Sequence, residues 1–218
     1  MKRKNIFVLC ILVLLIPLSI SSIIAKGGTE HNVKCYSSNP KGVTQLFEKT
    51  VSYEELNELE KHLNALFSNH IEDEMDTIRE RVLEILQNAN IFPENFDYRQ
   101  FLPSFCKKEW GWGIFNYIIS YGNGEIYIPL RSDRSFLKII LRPIFFNYGY
   151  GITLTKLGAT YIWDKDCTVG NIGLMLGRQR GFMIGFIGLH IRIPHNLVPD
   201  SHLFLGAAIS INGNNLLF

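Results

Sequence analysis

GLMLGRQRGFMIGFIGLHIRIPH, residues 173–195, is apolar, studded with glycine and broken once by Arg178-Gln179-Arg180. Read as a membrane-crossing helix, it fails twice. From Gly181 to Ile191 there are 11 residues, about half of the ~20 that a spanning helix needs. A longer helix would carry Arg178 and Arg180 into hydrocarbon, at a cost of about 2.5–3.5 kcal/mol each. Two strands joined at Arg178-Gln179-Arg180 satisfy the backbone and leave both arginines at a solvated turn. The stretch therefore reads as a β-hairpin.

Alternation along 183–193 refines that reading. Met183, Gly185, Ile187, Leu189, Ile191 and Ile193 fall on one face; Phe182, Ile184, Phe186, Gly188, His190 and Arg192 fall on the other. The first half is apolar on both faces, so something must cover the second one. The cover is sought upstream. Leu56, Leu59, Leu63 and Leu66, and then Ile71, Met75, Ile78, Val82 and Ile85, recur at steps of three and four. The step of five between the two series, near Ser68-Asn69-His70, breaks the stripe. Ser52-x-x-Glu55 and Asn69-x-x-Glu72 read as capping boxes, which predicts helices over roughly 52–67 and 70–90, or one long helix with a stutter. Pro93 ends the segment, and 97–102 adds one further turn.

Charge supports docking of one half on the other. Between Glu48 and Asp97 lie 13 Asp/Glu against Lys49, Lys61, Arg79 and Arg81, a balance of −9. From Lys107 onward 11 Lys/Arg face 6 Asp/Glu, a balance of +5. Such complementarity orients more than it stabilises, and two copies exchanging helices as a homodimer would satisfy it equally. Beyond Phe105 short β-rich runs alternate with turn signals. Gly122-Asn123-Gly124 predicts a hairpin turn and Gly149-Tyr150-Gly151 a bend or bulge, giving about seven strands. The fold class is α+β: a two-helix segment on a C-terminal antiparallel β-sandwich or small barrel.

The N-terminus places the chain outside the cytoplasm. Lys2-Arg3-Lys4 precedes residues 6–25, which carry no charge and include Pro17, a serine-rich stretch and Ala25. This is the pattern of a secretory signal peptide, and 20 uncharged residues are also long enough to serve as an uncut membrane anchor. The organisation is then 1–25 signal or anchor, 26–51 an N-terminal arm, 52–105 helical, and 106–218 the β-domain. Cys35, Cys106 and Cys167 remain after cleavage, and the sequence does not choose among their three pairings. The net charge of +2 gives nucleic acid nothing to hold.

Chemistry-bearing patterns are few. His190, His195, Asp200 and His202 form the one donor cluster, suited to zinc and hence to a metal-dependent hydrolase, although loop histidines beside Pro194 and Pro199 would look the same. Trp110 and Trp112 would share a face of an extended strand, as a ligand-stacking platform or as core. Asp164-Lys165-Asp166 lacks the glycine and the closing glutamate of a calcium loop. No Gly-x-Ser-x-Gly elbow and no phosphate-cradling loop is present. A membrane-embedded β-barrel is the remaining alternative, set against a strand count below eight and a final NGNNLLF that does not alternate. The expectation is an exported, non-catalytic binding or structural module of the cell surface or secreted fraction, without a resident cofactor.

Overall fold

The computed structural model describes residues 30–39, 44–70, 73–102, 115–128, 142–157 and 172–215. The signal or anchor segment 1–25, Trp110, Trp112, Cys106 and Cys167 lie outside the described residues.

Both predicted helices form. Helix α1 spans Tyr53–Asn69, and the Ser52 capping box opens it: the Glu55 backbone N–H donates to Ser52 Oγ at 3.3 Å, while the Ser52 N–H donates back to the Glu55 carboxylate at 2.7 Å. Helix α2 spans Met75–Asn88. The second capping box does not open it; Asn69 closes α1, and Glu74 stands at the N-cap of α2 with no side-chain cap bond. Tyr98–Gln100 makes the predicted extra turn as a 3-10 helix, with Asp97 accepting from the Arg99 N–H.

The strands depart further from expectation. They are β1 His31–Ser38, β2 Thr44–Val51, β3 Asn116–Tyr127, β4 Pro143–Leu157, β5 Ile172–Ile184, β6 Ile187–Ile193, β7 Ser201–Ala208 and β8 Ser210–Asn215. All eight join one antiparallel sheet in the order β2-β1-β6-β7-β3-β4-β5-β8. The sheet is not closed, so the described strands do not form the expected sandwich or small barrel. Nor is the order the sequential one of an up-and-down membrane barrel. Residues 26–51, expected as an arm, supply β1 and β2, and β1 pairs with β6. The turn expected at Gly122-Asn123-Gly124 is absent, because β3 runs straight through it. The extra residues lie opposite, where the register shifts between Tyr148 and Gly151, and the bulge expected at 149–151 is real.

Arg178-Gln179-Arg180 is likewise no turn; it lies inside β5. The period of two explains how a strand tolerates it. Gln179 points inward and is buried, whereas Arg178 and Arg180 share the opposite, exposed face. The chain bends instead at Gly185-Phe186, where Gly185 has φ +68°, a conformation that favours glycine. Ile184 pairs with Ser210 before the bend and Ile187 pairs with Ala207 after it. The register is therefore unchanged, and β5–β6 with β7–β8 make one long hairpin bent in the middle. Two residues link β5 to β6 although β7, β3 and β4 separate them across the sheet, which requires the sheet to curl strongly.

The curl creates two cores. Inside lie Ile118, Phe146, Tyr148, Met183 and Phe204. Outside, Leu189, Ile191 and Ile193 of β6, with Val33, Leu203 and Ile119 of neighbouring strands, meet Leu56, Leu59 and Leu63 of α1 and Ile78, Val82 and Leu86 of α2. The helices thus cover the odd-numbered face at Leu189, Ile191 and Ile193. Met183 and Phe186, from the half read as apolar on both faces, pack instead in the inner core, because the bend at Gly185 separates the two halves.

Candidate functional site

The β6–β7 connection, residues 194–200, is built before it is decorated. Arg192 pairs with the Asp200 carboxylate, and that carboxylate also accepts the His195 backbone N–H at 3.2 Å. The Asp200 carbonyl accepts the Gly124 N–H at 3.0 Å, and the Asn123 amide donates to the Pro199 carbonyl. These contacts tie the loop to β3 beside the bulge and leave Leu197 and Val198 at its exposed tip.

The loop delivers His195 to α1. His195 Nε2 lies 2.9 Å from Glu60 Oε1 and 3.0 Å from Ser201 Oγ. Tyr121 lies beside Ser201 and Glu60. Burial, with the Glu60 charge adding to it, raises the Tyr121 phenol above its ordinary range and keeps it a donor. A Glu, a His and a Ser in contact invite comparison with a catalytic triad, and the geometry answers it. A relay needs the acid on one ring nitrogen and the serine on the other. Here both partners meet the same nitrogen, which cannot donate its hydrogen to Glu60 and also receive the serine proton. In this arrangement the cluster holds a carboxylate in place.

The four residues expected as zinc ligands do not converge. His190 and His202 adjoin on the inner face of the sheet, Nε2 to Nδ1 at 3.1 Å, in a stack with Phe204 and Tyr36. His195 points to the opposite face, toward α1, and Asp200 is engaged by Arg192. His190 and His202 sit on the paired strands, whereas His195 and Asp200 belong to the connection, which turns His195 toward α1 and Asp200 toward Arg192. Among the described residues no group of three or more His, Cys, Asp or Glu is placed to hold a metal ion. Cys35 is free and buried on β1, where burial pushes its thiol up to about 12.

The Glu60–His195–Ser201–Tyr121 cluster forms the floor of a cleft of about 300 Å³ between α1, the β3–β4 bulge and the β6–β7 loop. Asn64 and Asn123 add amides to its walls; Phe67, Tyr150, Ile152 and Val198 add apolar surface. The Phe67 and Tyr121 rings stack at 5.5 Å and 11°, which fixes the phenol over the floor. The sequence pointed to His195 but not to Glu60, Ser201 or Tyr121. Glu60 is one acid among 13 in its segment, and it lies 135 residues from the histidine it meets.

Compared with protein-family models, with curated proteins and with solved structures, the chain matches none.

Proposed function

We propose that this chain is an exported, non-catalytic binding module of the cell surface or secreted fraction, and that the cleft floored by Glu60 and His195 is where it takes a ligand. The observation that carries the reading is the meeting of Glu60 and Ser201 on one nitrogen of His195. It supports a fixed polar floor over a proton relay. The cleft volume stands at the lower end of small-ligand pockets, and a few polar groups among apolar walls are the usual composition of such sites. Export rests on the basic start and the uncharged 6–25 stretch. The test is expression of the full chain in a secreting host, with mass analysis of its N-terminus. Recovery outside the cytoplasm, either starting at Lys26 or held by an uncut 6–25 anchor, supports the reading. A chain found wholly in the cytosol with Met1 in place overturns it.

A further inference from the structure

We propose that the cleft binds a small organic cation, an ammonium or guanidinium group carried on an apolar body; this rests on the cleft being a ligand site at all. Charge is the first argument. The lining includes one carboxylate, Glu60, one imidazole, His195, and no lysine or arginine among the described residues. Glu60 is the one acidic group of the lining. His195 Nε2 meets its carboxylate at 2.9 Å and also meets Ser201 Oγ at 3.0 Å, which fixes the position of the carboxylate. A cation entering the cleft would meet a carboxylate and no lysine or arginine, whereas an anion would meet repulsion from Glu60 in a partly desolvated site.

The rim is the second, independent argument. Leu197 is 97% exposed, Tyr150 67% and Val198 55%, so large apolar side chains crowd one border of a polar floor. They are not scattered. Tyr150 and Val198 line the cleft directly, and Leu197 is the chain neighbour of Val198. Leu176, half exposed on β5, pairs with cleft-lining Ile152 across the β4–β5 ladder. A ligand with charge at one end and hydrocarbon at the other fits this division, and the face of Tyr150 offers the cation a π-surface on entry. The loop bonds from Asn123 and Gly124 hold the rim before the ligand arrives, which lowers the ordering cost of binding.

The test is calorimetric titration of the full chain with three probes of one shape: phenethylammonium, phenethyl alcohol and hydrocinnamate. Phenethylammonium is expected to bind saturably at one site, with the alcohol and the carboxylate weaker by about tenfold or more. Glu60→Gln should remove that preference, and Tyr150→Ala, at an exposed position that leaves the core intact, should weaken all binding. Equal binding of ammonium and alcohol, sensitive to Tyr150→Ala, would overturn the cation assignment and leave the cleft as a ligand site. No binding by any probe would overturn both. Thermal melts of each variant show that a lost signal is not lost folding.

Discussion

His190 and His202 share a single hydrogen bond, 3.1 Å from Nε2 of one to Nδ1 of the other, on adjacent strands of the inner sheet face. Burial of His202 sets a limit on acid. His202 is held down to about 4 from an ordinary 6.5, chiefly by burial; the Asp200 charge opposes this, the Arg192 charge adds to it, and the Gly124 backbone contact opposes it. The unfolded chain therefore takes up a proton that the folded chain refuses. Stability should fall as the pH drops through the window from about 6.5 to about 4, by as much as about 3 kcal/mol from this residue. Urea unfolding at stepped pH checks it, and His202→Gln should flatten the slope in that window.

The Tyr148 ring lies across two glycines. A Cβ added at Gly122 would come within 2.6 Å of that ring, and one at Gly151 within 2.8 Å. Gly122→Ala should cost about 1–3 kcal/mol by overpacking, since Tyr148 is fully buried and has nowhere to move. Denaturation of single and double variants reads the cause: after Tyr148→Leu, which vacates the ring, adding Gly122→Ala should cost much less.

Gln179 distinguishes a strand from a turn at Arg178-Gln179-Arg180. Its Oε1 accepts from Thr153 Oγ1 at 2.6 Å, Thr153 meets Ser120 Oγ at 2.9 Å, and Ser120 Oγ meets Tyr148 Oη at 3.3 Å. This polar chain is buried on every side. Thr153→Val keeps the shape and strands its partners, so it should cost about 1–3 kcal/mol in equilibrium unfolding. A solvated Gln179 would register almost no change.

Ser52→Ala should destabilise by about 1 kcal/mol, because it deletes the side-chain half of the capping box at the start of α1. Thermal unfolding measures the loss. The same replacement at Asn69 should show no capping effect on α2, since that helix begins only at Met75.

These positions show what the sequence could reveal. The leucine stripe of α1, the Ser52 cap and the odd face of 187–193 were legible because each depends on near neighbours or on a single period. The glycine clusters were not. Gly122-Asn123-Gly124 has the chemistry of a tight turn, but in this fold Gly122 makes room for the Tyr148 ring of another strand and Gly124 for the backbone at Asn147 and Tyr148. Arg178-Gln179-Arg180 looked like a solvated break because three polar residues stand together, yet a strand sends the middle one inward. His31–Ser38 was missed because only Val33 and Cys35 supply apolar inward positions, too few to mark a strand. The cleft was half visible: His195 stood out by type, while its partner Glu60 was indistinguishable from its acidic neighbours.

The account turns on Ser201 being a fixed neighbour of His195 and not a nucleophile. Treatment of the full chain with a fluorophosphonate probe, followed by peptide mapping, tests this most directly. We expect Ser201 to remain unlabelled at concentrations that fully modify a serine hydrolase run in parallel. Stoichiometric labelling of Ser201 that disappears in His195→Ala would contradict the account and make the cleft an active site.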